Sequence, residues 1–277
     1  MHNSRIFHSL SNIKKNKSAA LGIFITAGDP NILTSQKILN ALPSAGADFI
    51  ELGMPFSDPM ADGPAIQESS LRALKSGIKL KQIIEMVKVF RTKNNTTPII
   101  LMGYFNPIYS YGVDKFLKDT KNAGVDGFII VDLPFEEDEE FCIPSIKNNL
   151  DYIRLVTPTS DRLRLKKILH NAKGFIYYVS VTGITGTKKG SFDQINKSVR
   201  KIKTLTDLPV AVGFGIRSKG QVNEISKIAD AIIIGSYIVN IIKKNYKYTS
   251  KLQNNVVSSV ISEVKKFSAV LNYNLRK

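Results

Sequence analysis

The chain has a single cysteine, Cys142, and no tryptophan among its 277 residues. One thiol excludes an internal disulfide and suits a reducing compartment. Its place just after the acidic run FEEDEE, in a helical pattern, reads as that of a plain semi-buried side chain. Histidine is scarce too. His2, His8 and His170 all fall away from the ends of predicted strands, so no metal site is expected. No apolar run approaches the roughly 18 residues that cross a bilayer, which argues against a membrane protein. The first twenty residues carry basic side chains but no apolar stretch before a small-residue cleavage point, so the chain reads as not secreted.

Acidic residues are also few beside basic ones: 23 against 39, a net charge of +16. Such an excess raises nucleic acid or an anionic surface as a partner. The lysines nevertheless come in short clusters in separate elements (Lys14, Lys15 and Lys17; Lys188 and Lys189; Lys243 and Lys244), without interleaved aromatics or a nucleic-acid motif. Neither nucleic acid nor membrane is therefore expected as a partner. The accompanying Asn and Ile excess suggests a coding sequence biased toward A and T, as in a plastid genome or a low-GC bacterium. That reading puts the chain in a plastid stroma or a cytoplasm.

What is present is a strict alternation. Apolar runs bounded by turn signals predict eight strands, at 21–26, 49–52, 98–102, 127–131, 152–156, 175–180, 210–213 and 231–234. Helical periodicity fills the gaps at 32–45, 71–90, 113–123, 136–148, 162–169, 192–205 and 220–228. Strands that are apolar on both faces, each followed by a helix, predict an α/β fold: a single-domain (β/α)8 TIM barrel over residues 1–277, with extra helices at both termini. The last of these is expected over 248–270, packed on the outside. An open doubly wound sheet fits less well, since no GxGxxG follows the first strand.

In a barrel the chemistry belongs at the C-terminal ends of the strands. The segment ADFIELGMPFSDPMADGP, from Ala47 to Pro64, leads there. Glu51 interrupts a strand that should stay apolar, and a buried carboxylate is costly unless paired or used. The rigid turn that follows supplies Asp58 and Asp62. Two acids in unlike surroundings at one mouth suggest acid/base chemistry. The plainer alternative has Glu51 paired with a barrel lysine and the two aspartates capping turns. Tyr104, Asn106 and Tyr177 stand at or near the same end. A Gly- and Thr-rich stretch, VTGITGTKKGS, follows the sixth strand and reads as a loop able to fold over a ligand. Gly213 and Gly215 close the seventh strand, while Gly235 and Ser236 close the eighth and open a helix. With Gly186, these form a phosphate cradle of backbone N–H groups and helix dipole.

With those residues in place, the chain resembles the tryptophan synthase alpha subunit family over nearly its whole length. The carriers are FITAGDP (24–30), ELGMPFSDPMADGPAIQ (51–67), LMGYFNPIYSYG (101–112), VDLP (131–134), TGITG (182–186), GFGI (213–216) and IGS (234–236). The resemblance implies a barrel that cleaves indole-3-glycerol phosphate to indole and glyceraldehyde 3-phosphate, near the end of tryptophan biosynthesis. It implies Glu51 as general acid/base and Asp62 as second catalytic carboxylate, with Tyr104 and Tyr177 at the substrate and Thr185 ordering Asp62. Phe24, Ile66, Met102 and Phe214 would form the indole slot, although the same four side chains read equally as barrel core. Gly186, Gly215, Gly235 and Ser236 would hold the phosphate. No cofactor is implied in this chain; pyridoxal phosphate is expected in a partner beta subunit. The implied assembly is an α2β2 heterotetramer, touched through Asp58, Asn106 and Pro107. The strong positive charge departs from the family and would ask for an acidic or tolerant partner surface. Two other classes are weighed. A sugar-phosphate isomerase or epimerase shares the phosphate cradle, but a metal-dependent epimerase would want strand-end histidines, and an indole-glycerol-phosphate synthase would want catalytic lysines inside its strands. A basic nucleic-acid-binding protein would want one concentrated basic face.

Overall fold

The computed structural model describes residues 4–15, 19–180, 189–213, 215–246 and 253–273. Its centre is a parallel sheet of β1 (Ala20–Thr26), β2 (Phe49–Gly53), β3 (Ile99–Gly103), β4 (Gly127–Ile130), β5 (Asp151–Tyr152), β6 (Arg154–Val156), β7 (Ile176–Val179), β8 (Val210–Gly213) and β9 (Ala231–Ile234). The order β5-β4-β3-β2-β1-β9-β8-β7-β6 rolls it into a nearly closed barrel. This is a single α/β domain of the TIM-barrel kind. Nine strands appear where eight are expected because the fifth is broken at Ile153. Its lower half pairs with β4 as far as Phe128 and Tyr152, and its upper half pairs only with β7.

The helices are α1 (Arg5–Lys15), α2 (Ile32–Ala41), α3 (Pro64–Lys75), α4 (Leu80–Arg91), α5 (Phe105–Tyr111) and α6 (Val113–Ala123) in the first half. The second half adds α7 (Cys142–Lys147), α8 (Arg162–His170), α9 (Lys189–Lys203), α10 (Lys219–Ile225), α11 (Ser236–Tyr246) and α12 (Gln253–Tyr273). Three expectations change. The helix read across 71–90 is two, α3 and α4, because Gly77 takes a positive φ of 84° between them. The helix read across 136–148 starts as a 3-10 turn, Phe135–Glu140, and breaks at Phe141, whose φ of −150° and ψ of −40° are not helical. The seven-residue α5 was not expected at all; its Pro107 sits in the first turn, where a missing N–H costs nothing.

Burial follows the two faces of each strand. Ile23, Ile50, Leu52, Leu101 and Ile234 face the helical shell and pack with α2, α4, α6 and α12. Phe24, Phe49, Ile100, Met102, Ile153 and Tyr177 fill the lumen. Ile6 and Leu10 of α1 join this inner cluster and so plug the N-terminal end. α12 buries Val256, Val260, Val264, Phe267 and Leu271, a stripe at helical spacing. Cys142, read as semi-buried, is fully enclosed.

Candidate active site

Period two along β2 sends Phe49, Glu51 and Gly53 into the lumen. Glu51 is 0% exposed, and neither of its carboxylate oxygens has a hydrogen-bond partner among the described residues. Burial without compensation favours the neutral acid and pushes its pKa up to about 8. Beside it Tyr177, on β7, is buried as well; burial and the negative charge of Glu51 hold its hydroxyl well above the usual range. Gly213 makes room for this ring, since a Cβ there would come within 2.2 Å of the Tyr177 hydroxyl.

Asp62 arrives from the loop between β2 and α3. Its position is fixed from both sides: the Ala61 N–H donates to the Tyr104 hydroxyl at 2.9 Å, and Gln67 Nε2 donates to the Asp62 carbonyl at 2.9 Å. Pro64 at the first position of α3 sets the helix running straight after Gly63. Asp62 is half-buried. Burial raises its pKa to about 6, and the neighbouring Tyr104 hydroxyl works in the opposite direction. At neutral pH the site therefore holds one protonated and one ionised carboxyl group.

Both acids open on one cleft of about 50 Å3, together with Phe24, Ile66, Met102, Tyr177, Gly235 and Ser236, all read from the sequence, and Gly63, which was not. Ser236 is the first residue of α11, so a helix N-terminus points at this end of the cleft. Tyr104 lies behind Asp62, in a smaller pocket with Phe24 and Met102. Gly215 takes a positive φ of 78° in the turn after β8 but does not line the cleft. Thr185, Gly186 and Phe214, with most of the expected covering loop, fall outside the described residues. Asp58 and Asn106 are exposed and Pro107 is half-buried, on the segments that follow the adjacent strands β2 and β3.

The family model of the tryptophan synthase alpha chain matches residues 10–270. The chain belongs to the tryptophan synthase alpha chain family. Solved structures agree. A tryptophan synthase subunit alpha from Legionella pneumophila superposes with a TM-score of 0.90 at 34% identity, covering 98% of this chain and 99% of that one. A protein from Aquifex aeolicus gives 0.86 at 34% identity, with 97% and 99% covered. Tryptophan synthase from M. tuberculosis, in an open form with BRD0059 bound, gives 0.85 at 29% identity over 97% and 98%. Alpha chains of this family are lyases that cleave indole-3-glycerol phosphate.

Three residues near the site were missed. Val131, Leu155 and Val179 border a second cavity that shares Asp62 and Met102 with the cleft, and all three pack on the lumen cluster. Their signal was available. Each stands two residues beyond a lumen-facing neighbour, Ile129, Ile153 or Tyr177, at the open end of its strand.

Proposed function

We propose that Glu51 and Asp62 carry out the retro-aldol cleavage of indole-3-glycerol phosphate in this chain. A neutral, unpaired Glu51 is a proton donor aimed into an apolar lumen. Protonating indole C3 turns the ring into an indolenine-like cation. The glutamate left behind takes the proton of the glycerol hydroxyl next to the bond that breaks; indole and glyceraldehyde 3-phosphate separate, and the acid is restored. Meanwhile the ring N–H becomes acidic, and ionised Asp62 stabilises it. Tyr177 would bound the reacting carbons beside Glu51, and Tyr104 with Thr185 would hold Asp62 in place. Phe24, Ile66 and Met102, joined by Val131 and Leu155, would supply apolar walls for the indole, and the family resemblance assigns Phe214 to the same slot. Gly235, Ser236, Gly186 and Gly215 would hold the phosphate at the head of α11.

The observation that carries this reading is the buried, unpartnered carboxyl of Glu51 in a cleft that Asp62 shares. The test is the Glu51→Gln variant, which keeps the shape and loses the proton. Indole release should fall by about 10²-fold or more, with binding of a substrate analogue largely kept. Asp62→Asn should do comparable damage, and the double variant should be far less impaired than the product of the singles. A well-folded Glu51→Gln protein of near-normal activity would overturn the assignment.

The partner is proposed as a pyridoxal-phosphate beta subunit in an α2β2 complex, seated over Asp58, Asn106 and Pro107. Met60 and Tyr109, 86% and 68% exposed, offer apolar surface on the same two segments. Residues 1–150 hold 16 basic and 16 acidic side chains, whereas residues 151–277 hold 23 and 7. The contact segments thus belong to the neutral half of the chain.

A further inference from the structure

Asp29, in the turn after β1, is buried at the mouth of the barrel but does not line the cleft. Both of its carboxylate oxygens are taken by one side chain: Arg72 Nε donates to Oδ1 and Arg72 Nη2 to Oδ2, each at 2.8 Å. A forked pair of this kind fixes direction as well as distance. Two further bonds run beside it. The Thr26 and Ser69 hydroxyls meet at 2.6 Å, and Ser76 Oγ donates to the Gly28 carbonyl at 3.2 Å. Ser69 and Arg72 of α3, with Ser76 just past its end, follow one another at three and four residues and so share a face of the helix. Apolar packing alone has no direction. This row of polar bonds gives α3 a fixed register on the end of β1.

The register matters because of what α3 carries at its head. Pro64 is its first residue, and Asp62 stands two positions before it. The N–H groups of Ile66 and Gln67 donate to the Gly63 carbonyl at 3.0 and 3.1 Å, and Gln67 Nε2 holds the Asp62 carbonyl. A shift of α3 along β1 therefore moves Asp62, while Glu51, inside β2, stays in place. Misplacing a group at a reacting centre by about 1 Å can cost about 10²-fold in rate. We propose that Asp29 and Arg72 are positioning residues for the cleavage: their ion pair sets where α3 sits on β1, and so where the Asp62 carboxylate stands opposite Glu51. The proposal rests on the function argued above, in which Asp62 stabilises the indole ring.

The test measures indole release by Arg72→Met in two backgrounds. In the otherwise unmodified chain the substitution should lower kcat by about fivefold or more, with binding of a substrate analogue kept to within a few-fold. In the Asp62→Asn background, where no carboxylate is left to place, the same substitution should lower kcat by less than about twofold. An ion pair that merely stabilised the fold would leave kcat per folded molecule alone, or lower it equally in both backgrounds. Asp29→Asn, which keeps the shape and loses the charge, should give the same pair of results, and it replaces Arg72→Met if that variant does not fold. The proposal is overturned if the folded variant loses less than about fivefold in kcat, or if the losses in the two backgrounds are equal. An unmodified chain that releases no indole, or a fully active Asp62→Asn protein, would instead sink the function.

Discussion

The foot and the mouth of the barrel both bury acids, and Glu51 at the mouth is treated unlike the acids at the foot. At the foot, an aspartate precedes each of several strands and caps its neighbour. Asp48 accepts from the Leu21 N–H at 2.7 Å, Asp126 from Ile99 at 2.7 Å and Asp230 from Val210 at 2.8 Å. Asp126 also holds Arg91 at 2.6 Å and Arg5 at 2.8 Å, while Asp230 holds Lys203 at 2.9 Å. At the mouth, Asp29 is likewise held, by both arms of Arg72 at 2.8 Å, whereas Glu51 has no such partner among the described residues. Full satisfaction of a buried charge makes it structural, and leaving it unsatisfied makes it reactive. Sequence position distinguishes the two sets: acids before a strand or at its first residue, such as Asp151 of β5, belong to the foot, and acids further along a strand or after it to the mouth.

The largest expected effect breaks the comparison at the foot. Asp126→Ala strands buried Arg91 without its partner and should cost about 3–5 kcal/mol of stability, read from urea unfolding, while activity per folded molecule stays unchanged. Loss of activity without loss of stability would mean that the foot takes part in catalysis. The losses at the mouth come next: the roughly 10²-fold fall for Glu51→Gln or Asp62→Asn corresponds to about 2.7 kcal/mol of barrier, without a matching loss of stability.

A third outcome concerns pH. Glu51 titrates near 8 when folded against 4.5 when unfolded. Between those values the folded state holds a proton that the unfolded state has released, so the contribution to stability is full below about 4.5 and is lost as pH rises through about 8. Glu51→Gln removes this dependence. Its melting temperature should exceed that of the unmodified protein most at pH 8 and converge with it toward pH 5; equal differences at both values would contradict a buried neutral acid. The smallest effect belongs to Asp230→Ala, which frees the Val210 N–H and half-exposed Lys203 and should cost about 1 kcal/mol in the same unfolding assay.

The strands were legible because runs such as IIL and AIII are apolar on both faces, which only a sheet covered by helices requires. Glu51 was legible for the converse reason, as a charge where such a run should continue. Other features left weaker traces. Nothing in YIRLV marks Ile153 as the point where one strand changes neighbours, because the pairing is made with distant strands, β4 on one side and β7 on the other. Gly77 did mark the end of α3, but the apolar spacing on either side of it is continuous enough to read as a single helix. Val131, Leu155 and Val179 look like any other core residues until the barrel shows which end of each strand opens.

A hydrogen-bonded cylinder behaves like a hoop: its girth can grow only by parting a row of bonds. In this barrel the hoop is fastened at one place by a single peptide link, Ile153, between two half-strands that answer to different neighbours. Above the Ile153 N–H bond to Phe128 no ladder joins the described β4 to β6, so at this seam the girth is set by side-chain packing rather than by a row of hydrogen bonds.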